Sequence, residues 1–183
     1  MKIAIISDTH DNLPNLEKAL DWIKKQGLKI IIHCGDIFSQ ETLEYMAKNF
    51  SGKIYLAGDI IDDDYPKAEI KGLYYFSGAG EIEIDNKKIA FSHRPETAEE
   101  LAKSGKYDLV FYGHTHRPWQ RRIQINTNQN TDQCGYLRKS ACTLRESALL
   151  VNPGNLCGLL YQPTFAIYDT KTDKLELKLL EKI

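Results

Sequence analysis

Short apolar runs recur along this chain of 183 residues, and most of them end in a polar residue. Runs of four to six apolar residues are typical of buried strands, whereas apolar side chains repeated every three or four residues are typical of helices. By these patterns the first half is predicted to contain strand 2–7, helix 13–26, strand 29–34, helix 39–49 and strand 53–57. This alternation predicts parallel strands that are joined by right-handed crossovers.

The second half of the chain is richer in strands. We predict them at residues 81–84, 87–92, 108–112, 119–125, 147–151, 164–169 and 174–180. Asp85 and Asn86 lie between the first two and are suited to a tight hairpin turn. Thr97 and Glu100 have the spacing of a capping box, for a short helix that ends at Gly105. The whole order favours an α/β fold in which helices lie outside two mixed β-sheets.

The composition is that of an ordinary globular protein, with 42% hydrophobic and 27% charged residues. The length suits a single domain over residues 1–183. A net charge of −1 argues against a nucleic-acid partner, and no apolar stretch is long enough to cross a membrane. The four cysteines form no CxxC pair and the first apolar run is too short for a signal peptide, so we expect a cytoplasmic protein.

Carboxylates and imidazoles stand where the predicted strands end. They are Asp8, His10, Asp36, His93, His114 and His116. Open α/β sheets form their sites at strand ends, and both groups are ligands for divalent metals. Four histidines in register with aspartates are hard to explain by packing, because buried charges need partners. The pattern therefore predicts a metal site.

These residues fall into short motifs whose order matches one family. The motifs are Asp8-Thr9-His10, Gly35-Asp36, Gly58-Asp59, His93, Gly113-His114-Thr115-His116 and Asn152-Pro153-Gly154. They resemble those of the calcineurin-like metallophosphoesterases, above all the small single-domain bacterial and archaeal phosphodiesterase branch, and also the retromer subunit of the same fold. The resemblance spans roughly residues 1–118 and 147–180, and it implies a four-layer αββα sandwich.

The resemblance also implies a centre of two divalent metal ions. One ion would be held by Asp8, His10 and His116, the other by Asp59, His93 and His114, and Asp36 would bridge the two. A metal-bridging hydroxide would then attack phosphorus in line, so no protein nucleophile is required. Mixed histidine and carboxylate ligands lead us to favour Mn²⁺, with Ni²⁺, Zn²⁺, Fe²⁺ and Co²⁺ as alternatives.

Two residues depart from the family's pattern within this site. Asp59 stands where the family usually has Asn, and an ionised carboxylate cannot donate the hydrogen bond that an amide donates. Arg94 follows His93 where many relatives continue with Gly-His, and its guanidinium could pair with phosphate or neutralise Asp59. We hypothesise that these departures compensate each other. Asp36, Asp59, Arg94 and His114 are the candidate catalytic residues.

The proton donor for the leaving group is a third departure. Some larger relatives have a histidine directly after residue 59, whereas this chain has Ile60. The spare histidine, His33, is predicted to be a core residue or to lie just behind the metal ligands. A site without a protonated donor should favour substrates with good leaving groups.

The connection from His116 to Asn152 contains 35 residues, which is more than the compact branch usually shows. The extra segment covers about residues 124–146. It is either a hairpin or flap near the site or an oligomer contact, or else a tolerated surface insertion.

We predict a metal-dependent hydrolase, a phosphodiesterase in preference to other phosphoesterases, with a small phosphodiester or phosphomonoester as substrate. The alternative is a non-catalytic metal-binding interaction or scaffold module on the same fold. A nuclease would call for a basic stripe or a DNA-contacting domain, which the charge and length argue against. A homo-oligomer is left open.

Overall fold

The computed structural model describes residues 1–58, 69–125 and 147–183. The strands in these ranges are β1 (Lys2–Ile6), β2 (Ile30–His33), β3 (Lys53–Ala57), β4 (Leu73–Phe76), β5 (Ala79–Ile84), β6 (Lys87–Ser92), β7 (Leu109–Phe111), β8 (Trp119–Gln124), β9 (Ser147–Asn152), β10 (Thr164–Asp169) and β11 (Lys174–Leu179). The helices are α1 (Leu13–Lys25), α2 (Gln40–Asn49) and α3 (Pro95–Lys103), and a short 3-10 helix covers Leu180–Lys182. None of the described helices is long and apolar enough to cross a membrane.

The strands form two mixed sheets. The first has the order β11-β10-β1-β2-β3-β4, in which β1 to β4 are parallel and β10 runs antiparallel to both of its neighbours. The second has the order β5-β6-β7-β9-β8, in which β6, β7 and β9 are parallel and the two edge strands are antiparallel. The predicted α/β fold with two mixed sheets is therefore confirmed.

Alternating burial along the central strands makes a core on both faces of each sheet. Ile3 and Ile5 of β1 pack between the sheets with Phe91 of β6 and Phe111 of β7, and all four are fully buried. The alternate residues of β1 face the other way, into a core with α1 and α2. On the outer face of the second sheet, α3 packs against β7 through Ala98 and its neighbours. These are the four layers of an αββα sandwich, as predicted.

Helix α3 begins two residues earlier than its predicted cap. It starts at Pro95, whose fixed φ suits the first turn of a helix. Arg94 is the N-cap residue and makes no capping hydrogen bond with its side chain. The capping box at Thr97 is therefore wrong. The consequence is that Arg94 lies directly between the end of β6 and the start of a helix.

One edge strand was not predicted from the sequence. Strand β4, which pairs with β3, was missed because only Leu73 of its four residues is buried and Tyr74 is exposed. At the opposite edge β8 pairs with β9 so that Trp119 lies against Asn152 and Gln124 lies against Ser147. The predicted insertion at about 124–146 lies almost wholly outside the described residues, between the ends of these two strands.

The core between the sheets predicts a large cost for removing one aromatic ring. Phe91→Ala should lower the free energy of unfolding by about 3–5 kcal/mol, because the cavity is walled by two sheets that cannot both collapse into it. Urea denaturation would measure this. Leu177→Ala on β11, where the side chain is 49% exposed, is the control and should change stability by less than about 1 kcal/mol. A similar loss in both variants would contradict this account of the core.

Candidate metal centre

The loops that follow β1, β2, β6 and β7 meet at one edge of the sandwich. The backbone N–H of His114, after β7, donates to both carboxylate oxygens of Asp8, after β1, at 3.0 and 3.2 Å. The backbone N–H of Asp8 donates to the carbonyl of Gly35 at 3.0 Å, and that of His10 donates to the carbonyl of Asp36 at 3.0 Å. Backbone bonds thus hold three of the four strand ends in register with one another.

Four of the predicted ligands form a compact group. The ligand atoms of Asp8, His10, Asp36 and His116 all lie within 4.8 Å of one another. His10 Nε2 is 2.9 Å from Asp36 Oδ2, and His116 Nε2 is 3.3 Å from Asp8 Oδ1. Ligands that share one cation approach each other in this way, because each lies about 2 Å from the metal.

Two further histidines lie beside this group. His93 Nε2 is 3.9 Å from Asp36 Oδ2, the oxygen that His10 also approaches. His114 Nδ1 is 3.2 Å from His93 Nε2. Asp36 Oδ2 therefore lies near one imidazole of each of two contacting pairs, His10 with His116 and His93 with His114. Asp59, the remaining predicted ligand, lies outside the described residues.

The rings of His93 and His116 are oriented by backbone carbonyls. His93 Nδ1 is 3.0 Å from the carbonyl oxygen of Cys34, and His116 Nδ1 is 3.2 Å from that of Leu159. Because a carbonyl only accepts, each Nδ1 must carry the proton, which leaves the lone pair on Nε2. The Nε2 atom of His93 lies on the side of Asp36, and that of His116 lies on the side of Asp8. Metal-binding histidines are held in this way in proteins generally.

The donor set fits a divalent transition metal. His10 Nε2 is buried and makes no hydrogen bond within the described part of the chain. Asp36 Oδ2 is close to it, but the alignment is not that of a hydrogen bond. Burial raises the pKa of Asp8 above its ordinary value, and the nearby imidazoles only partly offset this effect. A cation at this point would give the nitrogen a partner and keep the carboxylate ionised.

Left-handed backbone is concentrated among these residues. It occurs at Asp8 (φ 51°), His10 (φ 45°), Asp36 (φ 66°), His114 (φ 67°) and His116 (φ 58°). Aspartate and histidine tolerate this conformation better than most residues, yet it still costs free energy. Five such residues at one edge persist because the strands and backbone bonds around them leave no alternative.

A model of the calcineurin-like phosphoesterase superfamily domain matches residues 1–173. The chain belongs to this superfamily. Over 189 aligned residues it is 30% identical to phosphodiesterase MJ0936 of Methanocaldococcus jannaschii, covering 99% of this chain and 100% of that protein. A solved structure of an archaeal phosphodiesterase superposes with a TM-score of 0.73 at 28% identity, covering 98% of this chain and 99% of that one. Vacuolar protein sorting 29 from Cryptosporidium parvum shares the fold, with a TM-score of 0.58 at 17% identity over 97% of this chain and 95% of that one.

The Arg94 side chain lies beside His114, one of the proposed metal ligands. Its Nη1 is 3.4 Å from His114 Nε2. The early start of α3 puts this guanidinium at the rim of the centre, next to His93. The predicted partner in compensation, Asp59, is not among the described residues, so their relationship stays a prediction.

His33 is buried behind the site, as predicted. Its Nδ1 accepts the backbone N–H of Gly35 at 3.1 Å, and its Nε2 lies 2.8 Å from Thr9 Oγ1. Burial lowers the pKa of His33 to about 3, and the neighbouring His93 adds to the effect. The ring is therefore neutral at ordinary pH and positions the two loops that carry Asp8 and Asp36.

Sequence reasoning included Asn152 among the motifs but missed Asn155 and Cys157 in the loop after β9. Asn155 Nδ2 donates to the carbonyl of His116 at 3.1 Å, and Asn152 Nδ2 donates to the carbonyl of Gly113 at 2.8 Å. Cys157 Sγ lies 3.9 Å from His116 Nδ1 and forms a possible ligand group with His10 and His116. Strand β9 is parallel to β7, so the end of β9 lies beside the loop that carries His114 and His116. A prediction that these two strands pair in parallel would have placed the loop after β9 at the site.

The neutral, buried His33 predicts a pH dependence of stability. The unfolded chain binds a proton at His33 near the ordinary pKa of 6.5, whereas the folded chain does so only at about 3. Stability should therefore be full above pH 6.5 and fall as the pH drops, by about 1.4 kcal/mol for each unit from this residue alone.

The wild type and the His33→Gln variant, both treated with chelator, can be compared by urea denaturation between pH 7 and pH 4. The variant keeps a donor and an acceptor but cannot titrate, so its stability should fall less steeply. Parallel curves for the two proteins would show that His33 is not the source.

Proposed function

We propose that this chain is a metal-dependent phosphodiesterase that hydrolyses small phosphodiesters at a centre of two divalent metal ions. The single observation that carries the proposal is the position of Asp36. One of its carboxylate oxygens lies 2.9 Å from His10 Nε2 and 3.9 Å from His93 Nε2, so it can serve an ion on either side. The full-length likeness to phosphodiesterase MJ0936 supports the choice of a phosphodiester.

The ligand sets we propose follow the two sides of Asp36. Asp8, His10 and His116 would hold one ion, and His93, His114 and Asp59 would hold the other. When bound, such ions supply a hydroxide nucleophile at neutral pH and positive charge beside the phosphate. Mn²⁺ is our first choice, and Ni²⁺, Zn²⁺, Fe²⁺ and Co²⁺ carry ligand preferences that also suit histidine and carboxylate.

The chain's own residues orient the substrate. The Arg94 guanidinium lies 3.4 Å from His114 at the outer side of the site, and it can pair with two phosphate oxygens at once. This contact would hold the diester so that a non-bridging oxygen faces the histidines. Asp36 and His114 complete the wall against which the phosphorus is presented.

Whether the site can protonate the leaving group decides which esters it can hydrolyse. His33 is fully buried and neutral, so it cannot deliver a proton to a departing oxygen. The position after residue 59 is Ile60, which has no proton to give. We therefore propose that the enzyme prefers diesters whose leaving oxygen is stable without a proton.

The domain organisation belongs to the same proposal. We take residues 1–183 as one domain, since both sheets share a single inter-sheet core. The segment at about 124–146 stays a prediction in each of its suggested roles, and so do the cytoplasmic location and a homo-oligomer.

Metal removal is the direct test of the proposal. Chelation should abolish hydrolysis of an activated diester, Mn²⁺ should restore it, and calorimetry should count two sites per chain. Asp36→Asn should lower activity by more than about 100-fold and reduce the number of bound ions, because neutral Asn is a poor bridge. Asp21→Asn makes the same chemical change on exposed α1 and should alter neither. No turnover with any metal would favour the non-catalytic interaction module instead.

The compensation between Asp59 and Arg94 can be tested by a double-mutant cycle. Asp59→Asn and Arg94→Ala should each change kcat/KM by about tenfold. The change in the double variant should differ from the product of the two single changes by a factor that corresponds to about 1 kcal/mol or more. Arg122→Ala, on the exposed side of β8, is the control for loss of a guanidinium. Purely additive effects would contradict the compensation and leave the phosphodiesterase proposal standing.

A further inference from the structure

Exposed apolar side chains occur shortly after His10, Asp36 and Cys157 in the chain. They are Leu13, Phe38, Leu159, Leu160 and Tyr161, and we call them the apolar rim. Phe38 is 60% exposed and Leu160 is 88% exposed. Such side chains are common singly on surfaces, but several around one site point to a binding role.

Two members of the apolar rim contact the proposed metal ligands, Phe38 through its ring and Leu159 through its backbone carbonyl. The Phe38 ring stands edge-on to the His10 ring, with centroids 4.7 Å apart, and His10 stands edge-on to His116 at 5.0 Å. The carbonyl of Leu159 accepts from His116 Nδ1. Phe38 and Leu159 therefore flank the same pair of imidazoles.

The side chain of Asp11 fixes the backbone at Phe38, and Leu160 has a strained backbone of its own. The Asp11 carboxylate accepts the N–H groups of Phe38 and Ser39, at 3.2 and 3.3 Å. Leu160 has a φ of 66°, a conformation that is costly for a bulky residue and is usual at ligand clamps. A leucine kept exposed in this strained state gains nothing from the core.

The site is therefore polarised. At one end the Arg94 guanidinium lies against His114, and at the other Phe38 lies against His10. A phosphodiester has the same two parts, a charged phosphate and an organic group. A diester whose phosphate is oriented by Arg94 would have its organic group available to Phe38 at the other end.

We propose that Phe38 and the rest of the apolar rim select phosphodiesters that carry a flat aromatic ring, which packs on the exposed face of Phe38. This inference rests on the proposed function and names its substrate class. Aromatic faces bind nucleobases and aryl groups by the same stacking, so both are sources of the ring. Phe38 is a specificity-determining residue in this proposal, since it touches the substrate but not the reacting atoms.

Phosphonates test the rim without any chemistry, because their carbon–phosphorus bond is not hydrolysed. Binding of methylphosphonate, phenylphosphonate and an adenosine phosphonate to the Mn²⁺-loaded protein can be measured by calorimetry. The wild type should bind at least one aromatic probe about tenfold more tightly than methylphosphonate. Whether phenyl or adenosine binds better identifies the aryl ester or the nucleotide as the source.

Substitutions then locate the preference. Phe38→Ala should abolish the preference for an aromatic probe over methylphosphonate, and Phe38→Tyr should retain it. Leu160→Asn, which suits the left-handed backbone, should weaken it. Leu177→Ala is the control for a lost exposed apolar side chain.

Equal binding of aromatic and methyl probes by the wild type, or an unchanged preference in Phe38→Ala, would overturn the rim as a ring site even if diesters are hydrolysed. If Phe38→Ala changes the mass of the protein in solution and leaves the preference for aromatic probes unchanged, the apolar rim contacts a second copy of the chain. That outcome would also overturn the rim as a ring site. Failure to bind any phosphonate, together with no turnover, would overturn both this inference and the proposed function.

Discussion

The buried carboxylate of Asp8 joins the two sheets where the site forms. It accepts the backbone N–H of His114, which belongs to the second sheet, while its own N–H donates to Gly35 beside β2. Its carbonyl accepts the N–H of Cys157, after β9. Gly113 makes this closeness feasible, because a Cβ there would lie 2.6 Å from Asp8 Oδ2. One residue thus links the ends of β1, β2, β7 and β9 through its side chain and its backbone, and the histidines take their positions from these strand ends.

Holding these groups together costs free energy, which the packing of the rest of the fold offsets. Burial raises the pKa of Asp8 and so disfavours its charged form. The backbone is left-handed at five of the proposed ligand positions. Neither feature would persist on a flexible scaffold. The packed core between the sheets, which includes Phe91 and Phe111, fixes the strands that hold these unfavourable groups together, and a cation at the proposed site would neutralise them.

Much of this could be predicted from the sequence, because buried strands and their polar ends leave a strong pattern. The positions of Asp8, Asp36 and His93 follow from where β1, β2 and β6 stop. Phe38 could not be predicted as a site residue, because its role depends on Asp11 fixing a turn and on a ring contact with His10. Strand β4 has too little burial to leave a pattern, and the start of α3 was set by Pro95 instead of a polar cap.

The antiparallel pairing of β8 and β9 has a consequence for how this chain can change. Trp119 and Asn152 pair at the end nearest the metal ligands, while Gln124 and Ser147 pair at the other end. Strand β9 has six residues, so the two ends are about 17 Å apart. The chain between Gln124 and Ser147 leaves and returns at the distant end. The number of residues in this connection can therefore differ without shifting the register that β8 and β9 keep where Trp119 lies against Asn152.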